Sequence, residues 1–196
     1  MRLNKLDRIG FKANVSGDSS IEYLSDGVTE TLIGSLCELS DTRIIARSTV
    51  FRYKGRDVDP SAVARERAGD RAVAVGGKSL GGRIASMAVA AGMPADALVF
   101  LGYPLHPPGD VTKIRDAHLD AIRVPMLFLQ GTRDPFARPD LLRAVIDRLG
   151  DRATLVEIPG GDHSFHRAGT PRDATAEGVA LAPTVASFLL PLRRAA

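Results

Sequence analysis

The sequence predicts an α/β fold, a mostly parallel sheet flanked by helices. Three observations carry this. A short apolar run, Ala72-Val73-Ala74-Val75, meets the turn Gly77-Lys78-Ser79-Leu80-Gly81 and then a helix-like run from Gly82 to Ala91. A second apolar run, Pro125 to Gln130, ends in Gly131-Thr132-Arg133-Asp134-Pro135. A third, Thr154 to Pro159, ends in Gly160-Gly161-Asp162-His163-Ser164-Phe165. Strands that alternate with helices and end in glycine-rich turns are the pattern of an open α/β sheet, which gathers functional groups at the carboxyl ends of its strands.

From the amino end, Arg8–Lys12 reads as a strand, Gly27–Leu39 as a helix, Thr42–Arg47 as a strand and Pro60–Arg67 as a helix. Cys37 falls on the apolar face of its helix beside Ile33 and Leu36, the position of a small core residue. Asp57 to Pro60 and Gly69-Asp70 punctuate the chain before the strand at Ala72. At the turn that follows, Gly77 and Gly81 have a physical task. A sharp strand-to-helix turn strains the backbone at Ser79, and the residues two before and two after must be small or strand and helix collide. Ala97–Phe100 is the next strand, and Pro104 to Asp110 reads as an ordered loop. That loop either shapes a pocket, with Tyr103 and His106 near a substrate, or is a rigid connector. From Pro139 to Leu149, Leu141, Leu142, Val145, Ile146 and Leu149 recur at helical spacing, with Asp140 as the expected N-cap. The apolar patch Ser187–Leu192, followed by Arg193-Arg194, reads as a helix end.

Three residues at strand ends share one chemistry. A nucleophilic serine needs a base within hydrogen-bond reach, and the base needs an acid to hold its tautomer. Strand–turn–helix around G-x-S-x-G sets Ser79 as the nucleophile, and the chain order serine, acid, histidine then selects Asp134 and His163. Each has a plainer reading: Ser79 as a tight-turn residue, Asp134 as a turn residue, His163 as a surface histidine with His166 as its rival. Their joint placement at strand ends, in this order, favours the catalytic reading.

These residues also carry a resemblance. Val75 to Ser86, Gly102 to Gly109, Leu129 to Asp134 and Gly160 to Phe165 resemble the corresponding blocks of the dienelactone-hydrolase-related α/β-hydrolases. They are most similar to the hydrolase-like family that includes a subunit of the NSL chromatin complex. The likeness runs from about Asp70 to the C-terminus. It implies an α/β-hydrolase fold with Ser79 as nucleophile, Asp134 as orienting acid and His163 as base. It gives a reaction class without a substrate. Phe11 to Asp18, Glu22 to Glu30 and Ile45 to Gly55 instead resemble the TolB-like amino-terminal domain, which accompanies bacterial signalling cyclases. The chain thus reads as a TolB-like βαβα segment, 1–68, in place of the early hydrolase strands, followed by a hydrolase-like domain, 69–196, the two as separate units or as one continuous sheet.

That join bears on the oxyanion hole. One donor of such a hole is the N–H of the residue after the nucleophile, here Leu80; the other comes from a glycine-rich loop after an earlier strand. No such loop of the His-Gly type precedes Ser79. If the TolB-like elements take the places of the early hydrolase strands, the loop from Ala13 to Ser20 lies where the oxyanion loop lies. The N–H groups of Asn14, Ser16 and Gly17 are then candidates.

Composition narrows the classes. With 44% hydrophobic and 25% charged residues in 196, the chain is of ordinary globular make-up. Its apolar windows read as too short and broken to span a bilayer, the first residues lack the apolar core of a secretory signal, and a single cysteine fits a reducing compartment. A cytoplasmic protein is expected. The net charge is +3 with scattered arginines, which disfavours nucleic acid. Gly77-Lys78-Ser79 is no phosphate loop, since Ala72 stands where the first glycine belongs. His163-x-x-His166 lacks a second ligand pair, so no metal is expected. The expectation is a cofactor-free serine hydrolase acting on a small-molecule ester or related acyl substrate. The alternative is a catalytically inactive hydrolase-like scaffold that binds a protein partner through the TolB-like segment.

Overall fold

The computed structural model describes residues 19–37 and 72–192. The expected strands at 8–12 and 42–47, the helix at 60–67, and Asn14, Ser16 and Gly17 lie outside the described residues. Within them are four strands, β1 (Ala74–Lys78), β2 (Ala97–Leu101), β3 (Met126–Gly131) and β4 (Ala153–Ile158), all parallel and in the order β1-β2-β3-β4. The longer helices are α1 (Ser19–Cys37), α2 (Leu80–Ala90), α3 (Pro139–Leu149) and α4 (Ala174–Leu189). This is an α/β fold with a parallel four-stranded sheet flanked by helices.

The alternation of side chains along the strands splits the core in two. Leu98, Phe100, Met126 and Phe128 point to one face, where they pack with Leu119, Ile122 and the buried α3 residues Leu142, Val145 and Leu149. Val99, Leu101, Leu127 and Leu129 point to the other, against Val28, Leu32 and Leu36 of α1 and Leu181, Ala182 and Val185 of α4. A strand covered on both faces favours apolar residues throughout, which is why β2 reads as an unbroken apolar run and β3 as one interrupted only at Gln130. Phe100 and Phe128, with ring centroids 4.6 Å apart, and Tyr103 close one face of the sheet.

α3 starts and ends where its apolar spacing says. Its N-cap, however, is Arg138, with Pro139 at the first helical position, where a missing N–H costs nothing. Asp140 is inside the helix and takes a two-point ion pair from Arg138, at 2.7 and 2.8 Å. α1 begins eight residues before the expected Gly27. The apolar patch at Ser187–Leu192 marks only the end of α4, whose residues include Gly178 and Pro183, both poor helix formers. Gly178 has a packing reason: a Cβ there would come within 2.8 Å of the Val28 carbonyl oxygen, so glycine lets α1 and α4 touch along their backbones. Asp173 caps α4 by accepting from the N–H groups of Thr175 and Ala176. Among the described residues, Ala174–Leu192 is the one helical stretch long and apolar enough to cross a membrane; it lies against α1 and the sheet.

Candidate active site

Ser79 sits between β1 and α2 at φ 51° and ψ −122°, outside the regions that side chains prefer. Two glycines make this turn sterically possible. A Cβ on Gly77 would lie 2.6 Å from Gly81 C and Gly82 N, and one on Gly82 would lie 2.6 Å from Gly77 O. The G-x-S-x-G pattern points to Gly81 as the second small position, yet a Cβ there meets nothing within 4 Å. The constraint falls on Gly82 instead, because that residue turns toward the strand. Leu80 opens α2, so its N–H is among the first amides of a helix, which lack intrahelical acceptors and carry the positive end of the dipole.

Asp134 lies on the turn after β3 and is fully buried at its side chain, and His163 lies on the loop after β4 with 12% side-chain exposure. A Cβ at Gly131 would overlap the carbonyl oxygens of Gly161 and Asp162, so the bare glycine lets the two loops meet. Backbone bonds then join them: Thr132 donates to Ile158 O at 3.1 Å and Arg133 to Gly161 O at 2.8 Å. Gly102, at φ 65°, leaves room on the third side, where a Cβ would crowd His163 Nδ1 at 3.3 Å. Phe136 stacks at a tilt on the imidazole, 4.5 Å between centroids.

The result is a continuous chain of hydrogen bonds. His163 Nδ1 is 2.7 Å from Asp134 Oδ2, and His163 Nε2 is 2.8 Å from Ser79 Oγ. A carboxylate can only accept, so Nδ1 carries the proton and Nε2 is left to accept from the serine hydroxyl. The Asp134 carboxylate is itself held. Gln130 Nε2 donates to Oδ2 at 2.5 Å and the Phe136 N–H to Oδ1 at 2.8 Å, while Gln130 Oε1 accepts from the Tyr103 N–H at 2.8 Å.

The other candidates lie elsewhere. Tyr103 has no exposed surface, and its hydroxyl donates to Arg115 O at 2.8 Å. Burial pushes this phenol up to about 12. His106 is 3% exposed and bridges Pro107 O and the Arg138 N–H, each at 2.9 Å. Of the two readings of this loop, the buried side chains of Tyr103 and His106 do what a rigid connector asks: both hold the chain between β2 and β3 by internal hydrogen bonds. His166 pairs with Glu177 at 3.2 Å rather than with the serine. A second serine–histidine contact, Ser86 Oγ to His118 Nε2 at 2.7 Å, is no rival site. Ser86 is fully buried and its hydroxyl donates to Arg83 O.

A family match now settles the class. The α/β hydrolase domain family matches residues 58–187. The chain belongs to that family. Solved structures with the hydrolase fold agree. An esterase domain from a Rhodothermus marinus protein is 13% identical, with a TM-score of 0.52 over 83% of this chain and 80% of that one. A serine hydrolase without a lid from Xanthomonas campestris is 16% identical, with a TM-score of 0.56 over 86% and 75%. An α/β serine hydrolase homologue from Coxiella burnetii is 20% identical, with a TM-score of 0.55 over 85% and 77%. At these identities the likeness is one of fold. Among curated proteins, one named "Putative adenylate cyclase 3" of Rhizobium meliloti is 43% identical over 53 residues, which are 27% of this hydrolase-family chain and 9% of the relative. The chain therefore corresponds to a small part of that relative's length.

Sequence reasoning missed two residues of the site, Gln130 and Lys78. Gln130 carries a signal in hindsight: it has the parity of Phe128 and Met126, so an amide is aimed into a core face and must be paired. Lys78 Nζ donates to the backbone oxygen of His163 at 2.6 Å. Burial brings its ammonium down to about 8, against the raising influence of Asp134, Asp162 and Glu177. A cavity of about 240 Å³ lies beside the histidine loop, lined by Arg133, Asp162, His166 and Arg172 among others. None of Ser79, Asp134 or His163 lines it.

Proposed function

We propose that this chain is a serine hydrolase that cleaves an ester or related acyl bond. The observation that carries the reading is the unbroken hydrogen-bond chain from Asp134 through His163 to Ser79. In this mechanism Ser79 Oγ attacks the substrate carbonyl while His163 Nε2 takes its proton, then returns it to the leaving group as the tetrahedral adduct collapses to an acyl-enzyme. Asp134 keeps Nδ1 protonated and stabilises the imidazolium. Water, activated by the same imidazole, attacks the acyl-enzyme and releases the acid. The Leu80 N–H is the first oxyanion donor, and the second comes from the segment holding Asn14, Ser16 and Gly17. One such donor is worth about 2.7–4 kcal/mol in the transition state.

The finer likeness to dienelactone-hydrolase relatives and the TolB-like reading of 1–68 belong to the same proposal. The TolB-like reading rests on the sequence blocks Phe11 to Asp18, Glu22 to Glu30 and Ile45 to Gly55. That segment is the natural seat of a protein partner, and a cytoplasmic setting fits the single cysteine.

A fluorophosphonate probe tests the chemistry. Wild type is expected to take one label, and Ser79→Ala none. A folded wild type that takes no label would replace the enzyme with the scaffold reading.

A further inference from the structure

We propose that Lys78 is a positioning residue, which holds the backbone carbonyl of His163 and thereby keeps the imidazole in register with Ser79; this rests on the hydrolase reading above. Lys78 directly precedes the serine, and its Nζ reaches a carbonyl 85 residues away at 2.6 Å. The bond therefore references the base to the strand end that carries the nucleophile.

Other bonds of the histidine loop do a different task. Asp162 Oδ1 accepts from Ser164 and His166 N–H groups at 2.8 and 3.1 Å, which fixes the loop's own shape. Thr132 and Arg133 fix it to the loop of Asp134. Among the described residues, the elbow and this loop share only two hydrogen bonds: the Lys78 bond and the Ser79–His163 bond itself. The second breaks each time the serine gives up its proton, so only the first can keep register through a turnover. The loop needs such a hold. Phe165 sits at φ 68°, a conformation that costs a bulky residue energy, and its ring lies 5.6 Å beneath the Lys78 ammonium.

An apolar side chain would fill this place at less expense. The ammonium is buried, and the charges that face it are the carboxylates of Asp134 after β3, Asp162 on the histidine loop and Glu177 on α4. Each of these carboxylates has a partner of its own, Asp134 in His163, Asp162 in Arg172 and Glu177 in His166, so among the described residues the lysine gains attraction without a direct ion pair. Burying a charge for a single carbonyl bond makes sense where that bond serves geometry.

The test compares wild type with Lys78→Met and Lys78→Arg on p-nitrophenyl acetate, with thermal melting and amide hydrogen exchange alongside. Methionine keeps the apolar stem and removes the buried charge, so its Tm is expected to be equal or higher. Its kcat should fall about 10- to 100-fold with KM within about threefold. Exchange should quicken at Asp162–His166 and stay unchanged in α3. Arginine, which keeps a donor, should recover most of kcat. A folded Lys78→Met with wild-type kcat, or with wild-type exchange in the loop, overturns the proposal. If wild type hydrolyses nothing and takes no fluorophosphonate, the hydrolase reading fails, and exchange alone decides whether the tether exists. If Lys78→Met does not fold, retained loop protection in Lys78→Arg supports the tether and lost protection overturns it.

Discussion

Gln130 shows how much of a site can hang on one buried amide. It spends its Nε2 on Asp134 Oδ2 and its Oε1 on the Tyr103 N–H, so it aims the carboxylate and satisfies the loop after β2 at once. Gln130→Met keeps the volume and leaves both partners short of a bond in a buried place. A stability loss of about 1–3 kcal/mol by urea denaturation is expected. A fall in kcat of about tenfold with little change in KM should accompany it, since Asp134 would lose one of the bonds that orient it. A variant that loses stability but keeps full kcat would show that Phe136 N–H and His163 suffice. The positions of Ser79, Asp134 and His163 were legible because each follows an apolar run and sits in a glycine-bounded turn. Gln130 and Lys78 were not, because what defines them is a partner across the sheet: Tyr103 is 27 residues from Gln130, and His163 is 85 from Lys78. Tyr103 and His106 stayed open between pocket and connector for a related reason. In a Pro- and Gly-rich loop no periodicity tells inside from outside, and both side chains point in.

The strand–turn–helix of β1 and α2 is the element on which the geometry turns. Lys78 stands in register with Leu101 of β2, the Ser79 N–H donates to Leu101 O at 2.9 Å, and the helix starts at once. There is no space for a methyl group at Gly77, where the obstacle is the Gly81–Gly82 peptide of α2. Gly77→Ala is therefore expected to force α2 away from β1, at about 1–3 kcal/mol of stability. Because Ser79 rides on that turn, fluorophosphonate labelling should fall by more than the folded fraction does. Labelling in proportion to the folded fraction would mean that the turn relaxes without moving Oγ. Elements of this kind were readable where one rule dominated: apolar runs for β2 and β3, 3.6-residue spacing for α3. α4 escaped because its glycine and proline argue locally against a helix. Its support is tertiary, from Leu181, Ala182 and Val185 packing on α1 and from close approach at Gly178. Val179, whose carbonyl the Pro183 ring leaves unserved, lies on the exposed side of α4 at 51%.

At the scale of the whole molecule, the two-sided core places titratable groups at depths that set opposite responses to alkali. Lys78 lies among the residues between the sheet and α4, and its folded-state value is about 8 against 10.5 when free. The folded protein thus releases this proton first. Between about pH 8 and 10.5 the unfolded chain holds more protons than the folded one, so Lys78 contributes a rise in stability with pH across that window. The full rise is about 3 kcal/mol. Tyr103, buried in the opposite core, is pushed from 10.0 up to about 12, so its phenol ionises first in the unfolded chain. Its contribution is whole below pH 10 and is lost as pH climbs toward 12. Urea denaturation of wild type and Lys78→Met across pH 7 to 11 separates the two. The gap between the curves should shift in favour of wild type from pH 8 upward, and both curves should bend down together above pH 10. Parallel curves between pH 8 and 10.5 would mean that the ammonium is solvated in the folded chain.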